Sequence, residues 1–334
     1  MRGVINMEKL SRVRIGLIGC GGIAGFHVNH LVAIPEAEVV ALSDIDVLRA
    51  EKLKARYPTL AECPVFKDYR EMLNAVKMDA VEVMTPHTLH YQQVVDALER
   101  GLHVLVEKPM VCTVKHARDL VKRIEQNPRV LLVSYQRHYQ PQFRYMRNVV
   151  QQGQLGEVEF ISALQCQQWL EGTRGTWRQD PALSGGGQLN DSGSHLLDII
   201  LWTTGLQASE VFAYIDNHGT PVDIDTALSV KFTNGAECNV SIVGNSPIWW
   251  EDITLWGSKG ILLYRNGRLQ HYTTGGEAIL EPVKMPPGSD PDVNFVNAIL
   301  GKEQNESPAT CGLRVIELTE AAWASAKKRK PIRI

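Results

Sequence analysis

Leu17-Ile18-Gly19-Cys20-Gly21-Gly22-Ile23-Ala24-Gly25 is the stretch on which the reading of this chain turns. An apolar run from Val13 to Ile18 precedes it and reads as a buried strand, and a helix-compatible segment reaching about Ile34 follows. Gly19, Gly21 and Ala24 form a Gly-x-Gly-x-x-Ala pattern at the strand-to-helix turn. Such a turn aims backbone N–H groups at one spot, with the positive end of the helix dipole behind them. Gly19 permits the tight turn, Gly21 lets a pyrophosphate approach the backbone, and Ala24 lets helix and strand pack closely. A second apolar run, Val39 to Leu42, leads to Asp44, 20 residues beyond Ala24. A carboxylate there can accept hydrogen bonds from the hydroxyls of an adenine ribose. The alternative is a purely structural turn and a strand-end Asp; strand, turn, helix and acid in this order favour a dinucleotide.

Outward from that turn, strands alternate with helices. Asp46 is placed to cap a polar helix ending near Tyr57, and Tyr69 to Val76 reads as another short helix. Strands are expected at Ala80 to Met84, His103 to Val106 and Val130 to Tyr135. Helices are expected from about His90 to Arg100, where Gly101 marks the stop, and from Val114 to Glu125. This alternation predicts a doubly wound parallel sheet, in which ligands bind beyond the carboxyl ends of the strands. Gly19, Asp44, Thr85 and Glu107-Lys108 all fall at such ends, so four separated places line one crevice.

The pattern changes after Tyr135. A helix candidate, Pro141 to Gln152, and a strand, Val158 to Leu164, lead into a polar passage rich in Trp and Gly, from Gln167 to Gly187. A helix of about Leu189 to Thr203 follows and stops at Gly205. Alternating runs at Thr226 to Phe232 and Ala236 to Val240 flank Asn234-Gly235, a hairpin signal, and a second hairpin is expected at Asn266-Gly267. These runs predict an antiparallel sheet with one covered face. Val293 to Leu300 and Leu313 to Lys327 read as closing helices. Two domains are therefore expected, residues 1–136 and 137–334, which suits a length of 334 residues.

The composition, 44% hydrophobic and 22% charged with a net charge of −2, is that of an ordinary globular protein. No basic stripe offers a nucleic-acid footprint; Lys327-Lys328-Arg329-Lys330 reads as a solvated helix end. No apolar run is long enough to span a bilayer, and residues 1–12 hold no signal-peptide core, with Met7 an alternative start. None of the six cysteines has Cys-x-x-Cys spacing, so neither a metal site nor a disulfide framework is expected. Cytoplasmic residence is the expectation.

Two places carry chemistry. Lys108, at a strand end facing the crevice and before Pro109, can hydrogen-bond a substrate hydroxyl and stabilise negative charge developing on its oxygen. The plain alternative is a surface lysine in a turn. The run Gly185-Gly186-Gly187 leads to Asp191, His195 and Asp198, which helical spacing puts on one face. An imidazole held by a carboxylate is a proton-transfer unit, and the glycines are expected to leave an unhindered approach to the helix start. A structural Asp–His brace reads equally well from the residues alone. Trp169, Arg174, Trp177 and Arg178 cluster before the glycine run, and Tyr135, Arg137 and His138 open the second domain. Aromatic faces beside hydrogen-bonding neighbours suit sugars and polyols, whereas arginines can also grip a carboxylate or phosphate. Core packing is the other reading of the tryptophans.

Taken together, Gly19-Cys20-Gly21-Gly22-Ile23-Ala24, Thr85-Pro86 with His90, Glu107-Lys108-Pro109, and Gly185-Gly186-Gly187 with Asp191, His195 and Asp198 resemble the glucose-fructose oxidoreductase / inositol dehydrogenase / MocA family of NAD(P)-dependent oxidoreductases. A Gly257-Ser258-Lys259-Gly260 turn is similar as well, and the resemblance covers nearly the whole chain. It implies an N-terminal Rossmann domain and a C-terminal α/β domain with a large open, mostly antiparallel sheet, through which homodimers or homotetramers form. It also implies a catalytic set of Lys108, Asp191 and His195, and a cis Lys108-Pro109 peptide. Cofactor contacts are implied at Gly19, Gly21, Gly22, Ile23, Ala24, Asp44, Thr85, Pro86, His90, Glu107 and Lys108, and substrate contacts at Trp177, Arg178, Asp191 and His195. One departure is His87, where the family often has Asn after Thr-Pro.

The expected reaction is hydride transfer between a secondary alcohol of a sugar, inositol or related polyol and a nicotinamide cofactor. Asp44 repels a 2′-phosphate and Ile45 supplies no cation, so NAD is expected over NADP. Two other readings are an NAD-retaining glycoside hydrolase that works by transient oxidation, and a non-catalytic NAD-binding regulator. No nucleic-acid, membrane or metal partner is expected.

Overall fold

The computed structural model describes residues 11–275, 278–280 and 284–334; Met7, the expected alternative start, lies outside them. Six strands, β1 (Val13–Ile18), β2 (Ala37–Ser43), β3 (Val65–Phe66), β4 (Ala80–Val83), β5 (His103–Val106) and β6 (Leu131–Val133), form one sheet in the order β3-β2-β1-β4-β5-β6. Every pairing in it is parallel. The strand order reverses between β1 and β4, which opens a crevice at the carboxyl ends of those strands. Helices begin where the sequence places caps. Asp46 accepts from the N–H of Leu48 ahead of Val47–Arg56, Asp68 from Arg70 ahead of Tyr69–Ala75, and Thr113 from His116 ahead of Val114–Gln126.

Among the described residues the second sheet has nine strands. They are β7 (Val158–Gln168), β8 (Ala208–Asp216), β9 (Asp225–Phe232), β10 (Glu237–Val243), β11 (Asn245–Gly257), β12 (Gly260–Arg265), β13 (Arg268–Thr273), β14 (Ala278–Leu280) and β15 (Ile332–Arg333). They run in the order β14-β13-β12-β11-β7-β10-β9-β8-β15. All pairings are antiparallel except β7 with β10. The β9–β10 hairpin turns at Asn234-Gly235 and the β12–β13 hairpin at Asn266-Gly267, as their sequences require. One face of the sheet is covered by the apolar helix Gly193–Thr204 and by Ala309–Lys328, and the strands alternate accordingly; β9 is buried at every second residue. The architecture is α/β, with a parallel Rossmann sheet followed by a separate, mostly antiparallel one.

The closing helices do not stay with the second sheet. Helix Pro291–Ile299 returns to the first, where Phe295 and Val296 are wholly buried with Val13, Ile15, Leu17, Leu105 and Leu132. Beyond it, Ser307 O accepts from the N–H of Val133 at 2.8 Å, tying the chain to the edge of β6. Phe295→Ala should therefore destabilise the first sheet by about 3–5 kcal/mol, the usual cost of emptying a buried phenylalanine site. Denaturant unfolding followed by fluorescence measures it.

Candidate functional site

Gly19 leaves β1 with φ +94°, and a Cβ there would lie 2.8 Å from the backbone of Met84 at the end of β4. Only glycine makes this turn without strain. Gly21 caps helix Gly22–Leu31 without a side-chain hydrogen bond, and among the described residues a Cβ at Gly21 or Gly22 would meet nothing within 4 Å. The helix end is thus open, with no acidic residue in its first turn, as an anion cradle requires. Ala24 is fully buried against the sheet and Ile23 packs at its margin. Asp44 accepts the N–H of Cys20 at Oδ2 and that of Asp46 at Oδ1, both at 2.8 Å. Each oxygen keeps a second lone-pair direction, so the carboxylate is oriented by the turn and still able to take ribose hydroxyls. These residues fit a dinucleotide.

At the end of β4, Thr85 and Pro86 are half-buried at the crevice, and Thr85 Oγ1 donates to Gln93 Oε1. His90 and Glu107 are placed differently from the expected cofactor contacts. His90 is wholly buried, with Nδ1 2.9 Å from the Pro109 carbonyl and Nε2 2.8 Å from the Thr85 carbonyl. It joins two loops of the crevice from behind. The Glu107 carboxylate turns inward to His27 and to the N–H of Lys108. The Lys108-Pro109 peptide is cis.

Lys108 and Asp191, 83 residues apart, meet: Nζ donates to Asp191 Oδ1 at 2.7 Å. Three other side chains surround the same carboxylate. Trp169 Nε1 donates to Oδ2 at 2.9 Å, Arg178 Nε donates to it at 3.0 Å, and His87 Nε2 stands 3.7 Å from Oδ1. Burial opposes the Asp191 charge, but the Lys108 ammonium, first, and the Arg178 guanidinium outweigh it and hold the carboxyl far below its usual range. Asp191 is a fixed anion and not a base.

His195 is not its hydrogen-bonded partner. The helix begins only at Gly193, so Asp191 lies in the preceding turn and the four-residue spacing does not set the two side chains face to face. His195 takes no side-chain hydrogen bond from the described residues, and its Nδ1 is buried without a partner. The Tyr135 ring stands edge-on to it at 6.2 Å. Burial and the charges of Lys108 and Arg137 push the imidazole well below its ordinary pKa, so it is neutral at physiological pH. Asp198, expected on the same face, instead bonds His138 Nε2 at 2.7 Å. The glycine run also differs from expectation. A Cβ at Gly187 would come within 1.9 Å of the Asp223 carbonyl oxygen, one at Gly186 within 2.4 Å of the Trp323 ring, and one at Gly185 within 2.4 Å of Cys112 Sγ. The glycines permit close packing, not open approach. Asp223 accepts the N–H groups of Gly187 and Leu189 and so sets the turn that presents Asp191.

Of the aromatic cluster, Trp169 is buried with Leu170, Val222 and Ile224 while its N–H serves Asp191, so the packing and site readings are both satisfied. Trp177 is half-buried, edge-on to His87 at 4.7 Å. Arg174 pairs with Glu171 at the surface and takes no part. Arg137 pairs with Glu251, and His138 with Asp198 and the Glu306 carbonyl. His87 is the site residue that the sequence reading noticed only as a departure. Its Nδ1 donates to the Ser184 carbonyl at 3.1 Å, which leaves Nε2 as a lone pair facing Asp191. Burial pushes its pKa down to about 3, so it adds no charge. Its signal was its place directly after Thr85-Pro86 at a strand end.

Residues 13–135 match the family described as oxidoreductase family, NAD-binding Rossmann fold, and residues 143–263 match the GFO/IDH/MocA C-terminal domain. D-glucoside 3-dehydrogenase of Escherichia coli K12 is 31% identical over 199 residues, which span 59% of this chain and 56% of that protein. Myo-inositol 2-dehydrogenase of Thermotoga maritima is 26% identical over 273 residues, 77% of this chain and 76% of that protein. The solved structure of levoglucosan dehydrogenase in complex with NADH and L-sorbose superposes with a TM-score of 0.87 over 97% of this chain and 99% of that one, at 18% identity. No described helix is long and apolar enough to cross a membrane. The chain belongs to the GFO/IDH/MocA family and is an NAD-binding oxidoreductase.

Proposed function

We propose that the protein oxidises a secondary alcohol of a sugar, inositol or related polyol, reversibly, with NAD. The observation that carries this reading is the 2.7 Å contact between Lys108 Nζ and Asp191 Oδ1 beside a neutral His195 whose Nδ1 has no partner among the described residues. The cradle is Gly19, Gly21, Gly22, Ile23 and Ala24, with Asp44 on the ribose and Thr85 and Pro86 at the far wall. Asp44 and the exposed, uncharged Ile45 favour NAD over NADP. The chemistry supplied when NAD is bound is acceptance of a hydride from the carbinol carbon.

The chain's own residues do the rest. Lys108, steadied by Asp191, donates a hydrogen bond to the substrate oxygen and stabilises its developing negative charge. His195 takes the hydroxyl proton. Asp191 acts on the proton only indirectly, by fixing Lys108. Trp177 and Arg178 offer an aromatic face and a donor to the sugar. In this reading the chain up to Gln136 serves the cofactor and residues 137–334 serve the substrate, with helix Pro291–Ile299 lent back to the first sheet. Tyr214, Ile248, Trp249 and Trp250, exposed on strands of the second sheet, support self-association there as a homodimer or homotetramer. Six unpaired cysteines fit a reducing, cytoplasmic compartment.

The test is the purified protein with NAD or NADP against methyl glucosides, myo-inositol, anhydrosugars and sugar acids, read as reduced-nicotinamide absorbance. A substrate-dependent signal, stronger with NAD, is expected. Product sugar from an aryl glycoside without net NADH would overturn the reading in favour of a hydrolase. With the responding compound, Lys108→Ala and His195→Ala should each lower turnover about 10²- to 10⁴-fold; near-normal turnover in either would remove that residue from the mechanism. The base must be unprotonated for oxidation, and the His195 pKa lies below 6.5. The rate should therefore rise with pH through an inflection below 6.5 and level above it, and this limb should vanish in His195→Ala.

A further inference from the structure

Behind the crevice lies a charged cluster that the reaction above does not use. His27, on the helix that starts at the phosphate turn, is completely buried. Its Nδ1 is 2.7 Å from Asp292 Oδ1 and its Nε2 is 3.1 Å from Glu107 Oε1. Ionised carboxylates only accept, so each contact needs an N–H and the ring is an imidazolium. One turn on, His30 Nδ1 lies 2.7 Å from Asp292 Oδ2 and 3.4 Å from Asp290 Oδ1. Glu82 of β4 completes the cluster 3.7 Å from His27 Nδ1. It is fully buried, and neither of its oxygens has a hydrogen-bond partner among the described residues. Burial, and then the nearby Asp292 charge, raise its pKa well above the usual range, so it is neutral. The His27 imidazolium thus lies between the ionised Asp292 and Glu107, with His30 on the other oxygen of Asp292.

Glu107 is the joint. One oxygen takes His27, and the other accepts the N–H of Lys108, the next residue, at 3.1 Å. We propose that His27 is a positioning residue, which links the phosphate-turn helix through Glu107 to the backbone of Lys108 and so sets the ammonium against substrate bound on the cofactor. The inference rests on the assignment of Lys108 to the reaction. The link itself, from helix Gly22–Leu31 to the Lys108 N–H, does not.

Two measurements separate these. The first is amide hydrogen exchange by mass spectrometry on the full protein, without substrate, for wild type, His27→Gln and Glu107→Gln. Exchange of the Lys108 amide should rise tenfold or more in both variants, while peptides from β7 exchange as in wild type. Unchanged exchange at Lys108, or an equal rise throughout, overturns the proposal. The second uses NAD and the sugar or polyol that responds in the panel. His27→Gln should lower kcat about 10- to 100-fold, the usual cost of a misplaced reacting group, and change the KM for NAD less than threefold. It should add nothing to the loss in Lys108→Ala. Full multiplication of the two losses means that His27 acts through the fold and overturns the proposal. If His27→Gln does not fold, Glu107→Gln breaks the same link from its other side. If Lys108→Ala keeps its turnover, the reading of Lys108 fails, and the exchange result still decides the link.

Discussion

The carboxylate of Asp191 is the constraint on which the site depends. It is buried, it stays ionised, and it is bonded by groups from both halves of the chain: Lys108 from the end of β5, and Trp169 and Arg178 from the segment after β7. A lone buried carboxylate would shed its charge by taking a proton. Here the surrounding donors make the charged form the stable one, and removing one partner of such a pair commonly costs about 3–5 kcal/mol. The same anion therefore joins the two sheets and aims the lysine.

Five of the six strands of the first sheet were legible; β3 was not, because two residues are too short to show a pattern. The legible strands are short apolar runs, and of the helix caps Asp46 was read from the sequence while Asp68 and Thr113 emerge from the structure. The second sheet was legible in kind but not in extent. The β9–β10 hairpin announced itself through Asn234-Gly235, whereas β8 and the long β11 carry mixed residues whose pairing only the sheet decides.

The site was legible as a set of residues and not as a set of bonds. Lys108, Asp191 and His195 were singled out by position, but periodicity cannot say where a helix begins. Asp191 sits two residues ahead of Gly193, and that offset is enough to turn it from His195 toward Lys108. Glycines fail in the same way: a run that reads as space from the sequence is, in the fold, a place where backbone, Trp323 and Cys112 press in. Buried histidines were the least legible, because His27, His87 and His90 each take their meaning from groups far away in sequence.

Helix Pro291–Ile299 has a consequence for how the chain is made. The six parallel strands are complete once residue 133 has been synthesised, but the surface that Phe295 and Val296 cover, and the imidazole that Asp292 neutralises, wait for almost half of the polypeptide to follow. Domains of nascent chains generally fold from the N-terminus onward, each as a unit. In this protein the first unit leaves the ribosome with an apolar socket open and a buried charge unmatched, and only the last helices close it. The cofactor half is thus sealed by the end of the chain, and a chain that stops early lacks the piece that finishes its beginning.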